Sequence, residues 1–283
     1  MSEITLTQAL QQASAQLNTQ DARQEAELLL CHVLGCSLVK LVTDANEPLS
    51  DNEAVTFFQL IDARNSGQPV AYLMGYRGFW DMDLAVTDAT LIPRPDTELL
   101  VTLALSKMPI NAVCADLGTG SGAIALAAAK QRSDSFWLAS DYSLPALKVA
   151  RQNAETYAVK NVQFSQGAWA TMIAANRLDL LVSNPPYIED DDPHLETGDL
   201  RFEPRSALAS GSDGLDDIRH IVHQAPDVLK SGGWLLIEHG WNQSEAVQNL
   251  FKAAGFIEVS GHQDFGGQDR VVMGQLPSGK IPV

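Results

Sequence analysis

Four consecutive residues, Asn184-Pro185-Pro186-Tyr187, carry the clearest chemistry in the chain. They follow the apolar run Leu178-Asp179-Leu180-Leu181-Val182-Ser183, which reads as a buried strand. Neither proline can donate to a sheet ladder, so the strand must stop at Asn184. A planar amide and an aromatic ring are then held on a stiff turn at the C-terminal end of a strand. In open α/β sheets, ligands bind in the crevice outside such strand ends. The side-chain oxygen of Asn184 and the carbonyl oxygen of Pro185 can each accept a hydrogen bond from one NH2 group, and Tyr187 can stack on the planar group that carries it. The motif therefore suits placement of an amide or exocyclic amine nitrogen. It implies amino-group methylation if a methyl donor is bound nearby.

A second constellation offers a place for such a donor. Asp116-Leu117-Gly118-Thr119-Gly120-Ser121-Gly122 follows one strand and opens a helix. Three glycines in five residues let the backbone turn sharply and approach a ligand closely. Asp141 ends the next strand, where its carboxylate can take ribose hydroxyls. Gly118, Gly120 and Ala123 also satisfy a dinucleotide fingerprint, with Asp141 near the expected distance, so the loop alone leaves nicotinamide binding open. Two details favour S-adenosylmethionine. Asp116 stands two residues before the first glycine, where a carboxylate can reach a ligand's amino group, and the Asn-Pro-Pro-Tyr turn has no assigned role in a dehydrogenase.

These residues need a sheet to position them. Strands are expected at Ala112–Leu117, Phe136–Ser140, Val162–Ser165, Leu178–Ser183 and Trp234–Glu238, with Phe256–Ser260 and Arg270–Gln275 as a closing antiparallel pair. Helices fit Thr97–Lys107, Gly122–Gln131, Ser143–Tyr157, Leu215–Leu229 and Ser244–Ala254, with Pro226 expected to kink or break its helix. The alternation predicts an α/β fold, a mostly parallel seven-stranded sheet covered on both faces. Residues 1–75 read as a small helical domain, with apolar positions at helical spacing in Leu6–Leu17, Asp21–Leu34 and Asp51–Arg64. The only strand signal there is Val39–Val42. Residues 76–95 read as a hairpin or extended linker, and 96–283 as the main domain.

Composition narrows the partners. The 283 residues carry 19 Lys and Arg against 35 Asp and Glu, a net charge of −16, and no basic cluster. Nucleic acid should be repelled. Cys31, Cys36 and Cys114 lie in apolar surroundings without zinc-type spacing. No signal-peptide pattern and no membrane-length apolar run is present, so a cytoplasmic protein is expected.

The chain resembles the glutamine N5-methyltransferases that modify class I peptide-chain release factors. The likeness runs through Gly75-Tyr76-Arg77-Gly78-Phe79-Trp80, Leu91-Ile92-Pro93-Arg94-Pro95-Asp96-Thr97-Glu98, Asp116 to Gly122, Asn184 to Tyr187, Asp199-Leu200-Arg201-Phe202-Glu203-Pro204, Glu238-His239-Gly240 and Asp269-Arg270-Val271. Asn-Pro-Pro-Tyr alone is shared with DNA adenine and RNA guanine methyltransferases. Together with the Ile-Pro-Arg-Pro-Asp-Thr-Glu run it is highly specific. The resemblance implies a class I S-adenosylmethionine-dependent methyltransferase domain, Rossmann-like, behind a helical substrate-recognition domain. It further implies that Gly118, Thr119, Gly120, Ser121, Gly122, Asp141, Trp169 and Asn184 contact S-adenosylmethionine. Asn184, Pro185, Pro186 and Tyr187 would hold the substrate glutamine, whose methylation modulates translation termination. One position departs from the pattern: relatives usually carry an acidic residue before the tryptophan, and here it is Ala168.

Several other features admit plainer explanations. Glu189-Asp190-Asp191-Asp192 could face a basic protein surface or be a solvated loop. His220 and His223 lie at i, i+3 without further ligands for a metal. Glu238-His239 ends a strand near the crevice, where a structural hydrogen-bonding role competes with a catalytic one. Phe265-Gly266-Gly267-Gln268 contains the tripeptide expected of the substrate, but reads as a turn between the last two strands.

Overall fold

The computed structural model describes residues 4–279. These separate into two compact units, one running to Tyr76 and the other starting at Arg77.

The first unit is helical: α1 (Leu6–Gln16), α2 (Ala22–Leu34), α3 (Leu38–Thr43), α4 (Asp51–Asn65) and α5 (Val70–Met74). Thr5 with Gln8, and Ser50 with Glu53, form reciprocal capping boxes that satisfy the first N–H groups of α1 and α4. Gly35 ends α2 in the left-handed conformation, φ 58°. Leu10, Leu29, Leu30, Phe57 and Ile61 are fully buried in the centre, and a largely buried Arg64–Glu25 ion pair of 2.8 Å ties α4 to α2. Val39–Val42 is helical, against its strand-like composition. Among the described residues no neighbouring strand lies there to pair with it, and a helical turn buries Leu41 while leaving Val39 and Val42 outside.

Residues Tyr76–Phe79 (β1) and Met82–Ala85 (β2) form a two-stranded hairpin. The second unit then continues as α6 (Thr97–Lys107), β3 (Val113–Leu117), α7 (Ala123–Gln131), β4 (Phe136–Asp141), α8 (Leu144–Thr156), β5 (Val162–Gln166), β6 (Leu178–Ser183), α9 (Asp216–Val228), β7 (Leu229–Glu238), α10 (Ser244–Ala253), β8 (Ile257–Gln263) and β9 (Asp269–Gln275). The sheet order is β5-β4-β3-β6-β7-β9-β8, with β9 antiparallel to both of its neighbours and the other pairs parallel. From β3 the chain winds outward to β4 and β5, then returns to β6 on the other side. The crevice at this reversal opens between the C-terminal ends of β3 and β6, which carry the glycine loop and Asn184.

One apolar layer packs α6 and α7 on one face of the sheet, and a second packs α9 and α10 on the other. Pro226 falls in the last turn of α9, which runs two residues further and passes directly into β7. β7 starts five residues before the expected Trp234. The Ser231-Gly232-Gly233 stretch bulges out, with Gly232 at φ 80°, between paired Leu229 and Trp234. The long β6–α9 connection contains three short 3-10 turns, Pro193–Glu196, Leu200–Phe202 and Arg205–Ala207.

Candidate active site

The glycine loop is shaped by backbone conformation. Gly118, Gly120 and Gly122 have φ of 70°, 56° and 87°, a region where a Cβ is strained. Gly118 also lies against Trp169: a Cβ added there would stand 3.4 Å from the indole ring. The loop is tied down from below. Thr119 donates from its N–H to the Ser140 carbonyl (2.9 Å) and from its hydroxyl to Asp116 Oδ2 (2.6 Å). The buried Ser121 offers its carbonyl to Asn153 Nδ2 at 2.9 Å. Asp141 accepts from the Gly120 N–H through Oδ2 and from the Ser143 N–H through Oδ1, each at 2.9 Å.

Above the loop is a cavity of about 570 Å³, lined by Gly118, Gly120, Asp141, Ala168, Trp169 and Pro186, together with residues 88–91 and parts of the 204–209 segment. Its volume falls in the range of cofactor pockets, roughly 300–1,000 Å³. At its rim the Tyr142 hydroxyl bonds to Ser206 Oγ. Ala168 contributes no carboxylate to the wall, and its carbonyl is engaged by the Thr171 hydroxyl at 2.8 Å.

A smaller cavity of about 70 Å³ adjoins it, lined by Leu91, Arg94, Asn184, Tyr187, Ile188, Leu200, Ala207 and Leu208. Leu91 and Ala207 line both cavities. Asn184 Nδ2 donates to Thr97 Oγ1 at 3.2 Å, which leaves the Asn184 oxygen as an acceptor. The Tyr187 backbone is clamped on two sides: its N–H donates to the Leu208 carbonyl (3.1 Å) and its carbonyl accepts from Gln243 Nε2 (2.9 Å). Arg94 is held by the fully buried carboxylate of Glu203, which also accepts from the Ile92 N–H at 2.9 Å. The Ile-Pro-Arg-Pro and Phe-Glu-Pro motifs are thereby locked together, although more than a hundred residues of sequence separate them.

The structure divides the expected site residues into three groups. Gly118, Gly120, Asp141, Trp169 and Pro186 line the larger cavity. Asn184 and Tyr187 line the smaller one, Asn184 not touching the larger. Asp116, Thr119, Ser121 and Gly122 line neither and brace the loop from behind, and Pro185 also lines neither. Thr97, Glu203, Arg94 and Leu91 were visible only as members of motifs, and residues 88–90 carried no local signal at all.

Burial dominates the electrostatics. Asp116 is fully buried, which pushes its pKa up to about 7 despite hydrogen bonds from Thr119 and the Ala125 N–H, and its Oδ1 has no hydrogen-bond partner. Burial likewise raises Asp141 and the Tyr187 hydroxyl. Glu238, at the end of β7, is raised by burial to about 7. The Trp169 indole ring and the Asp141 carboxylate in the cavity wall, with the uncompensated Asp116 beneath the loop, suit a cationic nucleoside ligand.

Sheet order, glycine loop and the two adjoining cavities define the chain as a class I methyltransferase that uses S-adenosylmethionine. Residues 8–75 match the PrmC N-terminal domain, and residues 111–271 a methyltransferase domain. A release factor glutamine methyltransferase from Xylella fastidiosa (strain Temecula1) is 48% identical over 257 residues, covering 90% of this chain and 94% of that protein. One from Escherichia coli (strain K12) is 43% identical over 268 residues, covering 94% and 97%. A crystal structure of a methyltransferase from Pyrococcus furiosus shares the fold with a TM-score of 0.54 at 15% identity, covering 81% of this chain and all of that one. The chain belongs to the release factor glutamine methyltransferase family.

Proposed function

We propose that this protein transfers a methyl group from S-adenosylmethionine to the side-chain amide nitrogen of the glutamine in the Gly-Gly-Gln motif of class I release factors. The observation that carries this is the anchoring of Asn184. Its NH2 end is bound to Thr97, its oxygen is left as an acceptor, and it lines a pocket the size of a short side chain beside the donor cavity. Family membership supports the same substrate.

When bound, S-adenosylmethionine supplies a methyl group already activated by positive sulfur. The protein's task is alignment. An amide nitrogen is a poor nucleophile because its lone pair is delocalised. Asn184 Oδ1 and the Pro185 carbonyl would accept its two N–H groups, hold it toward the donor's methyl group and stabilise the charge it develops. Near-attack positioning of this kind contributes roughly 7–11 kcal/mol. Tyr187 flanks the glutamine side chain. Transfer would form the N–C bond as the donor's C–S bond broke, and the nitrogen would then shed one proton to water. No histidine lines either cavity, and no general base is assigned.

Residues 1–75 serve recognition of the protein partner, and the charge of −16 with no basic stripe argues against nucleic acid as the substrate. No helix among the described residues is long and apolar enough to cross a membrane. The test is mass spectrometry of a bacterial release factor after incubation with the protein and S-adenosylmethionine. One added methyl on the Gly-Gly-Gln glutamine, absent with Asn184→Ala, is the expected result. Donor binding without transfer to the release factor, but with transfer to DNA or RNA, would overturn it.

A further inference from the structure

A primary amide has two ends of similar size and opposite hydrogen-bonding sense. Asn184 can serve an incoming NH2 group only with its oxygen outward; reversed, it would set two donors against each other. What decides between the two orientations lies behind it. Thr97, the first residue of α6, is 4% exposed, and its Oγ1 accepts from Asn184 Nδ2 at 3.2 Å. Glu238 ends β7 on the strand adjacent to Asn184, since Ser183 pairs with Ile237 one residue earlier. Its carboxyl is buried, is approached by the side chains of both Thr97 and Asn184, and has an Oε2 without a hydrogen-bond partner. A threonine hydroxyl has one proton. Donated to a carboxylate, it leaves the Thr97 oxygen free only to accept, and an ionised carboxylate can only accept as well.

We propose that Glu238, acting with Thr97, is a positioning residue that fixes the flip of the Asn184 amide so that its oxygen faces the acceptor nitrogen. This rests on Asn184 being the acceptor-binding group. Protonated, Glu238 becomes a donor and can hold the Asn184 oxygen instead, turning the NH2 end toward the substrate. The device therefore works with Glu238 ionised. The groups that face Glu238 are Arg270 from β9, which favours ionisation, Asp96 at the start of α6, which opposes it, and the Tyr187 hydroxyl; burial sets its pKa at about 7.

The experiment measures kcat against pH for the full-length protein on a release factor, with both substrates saturating, for wild type, Glu238→Gln, Thr97→Val and Thr97→Ser. Wild-type kcat should rise with pH through about 7. Glu238→Gln, whose amide can donate or accept, should lose that limb and fall on the order of tenfold to a hundredfold in kcat. Its S-adenosylmethionine Kd should not change. Thr97→Val should fall comparably and Thr97→Ser should recover. A merely structural role would move thermal stability and both Kd and kcat together, without removing the pH limb. Glu238→Gln with kcat within twofold of wild type and the limb intact would overturn the proposal, as would unimpaired Thr97→Val should the Glu238 variant not fold. A wild-type protein that methylates no release factor would instead refute the proposed function, and with it the premise used here.

Discussion

Asp141→Asn tests the donor site with a change of a single atom. The Asp141 carboxylate has about four lone-pair positions. Two are occupied by the N–H groups of Gly120 and Ser143, each at 2.9 Å, and a third is approached by the Tyr142 N–H, which leaves one toward the cavity that Asp141 lines. In asparagine one oxygen remains, and because each carboxylate oxygen holds one of those N–H groups, the NH2 group faces a backbone N–H in either orientation. The N–H left unsatisfied costs about 1–3 kcal/mol. That cost is present with or without ligand and bears on folding, where it is partly offset because a neutral amide is easier to bury than the carboxylate whose pKa burial already raises. On the ligand side, one charge-assisted bond to a ribose hydroxyl is lost as well, about 1.5–3 kcal/mol, or roughly ten- to 150-fold in affinity. The variant should therefore unfold close to the wild-type temperature while binding S-adenosylmethionine ten- to 150-fold more weakly by the same arithmetic. Isothermal titration calorimetry beside a thermal melt separates the two. A Kd within about threefold of wild type, about 0.6 kcal/mol, would mean that Asp141 only braces the loop and that the ribose assignment is mistaken.

Three further outcomes are expected. Asn184→Ala should lower kcat by at least about a hundredfold, as loss of one preorganised group at a developing charge does, while leaving the donor Kd unchanged in calorimetry. Because burial holds Asp116 at about 7, a cationic donor above it favours the ionised form; affinity should rise with pH up to about 7 and level off, with a proton released on binding below that point. Titrations in two buffers of different ionisation enthalpy would detect the proton, and their agreement would refute the linkage. Glu203→Ala leaves the Ile92 N–H unpaired and Arg94 without its anchor, so stability in urea should drop by about 1–3 kcal/mol and KM for the release factor should rise more than kcat falls.

Some parts of the site could be read locally and others could not. The two prolines end β6 wherever it sits in the sheet, because neither has an N–H to give, so the position of Asn184 was fixed by covalent chemistry. The three glycines announced left-handed backbone for the same kind of reason. Spacing brought Asp116 close to the ligand, but only packing shows that it is sealed beneath the loop. Trp169 sits at φ 49°, a conformation its sequence does not advertise. Val39–Val42 misled because β-branched composition matters only where a strand partner exists. The Arg94–Glu203 lock spans 109 residues, and no local period can report a contact of that range. Residues 88–90, which wall the donor cavity, carry neither periodicity nor a turn signature.

The two cavities are built from different stock. Strand ends and the glycine loop make the floor of the larger one, whereas the wall shared with the smaller one comes from segments around Leu91 and Ala207 that lie outside the strand–helix alternation. Those segments are held to each other through Glu203 rather than by the sheet. A lineage could change them and meet a new nitrogen while the strand ends and the glycine loop that floor the donor cavity stay as they are. Descent with changing acceptors then requires only that the Ile92–Arg94 and Glu203 anchors drift together, so natural variation in substrate should be concentrated in two short stretches while the strands between them stay still.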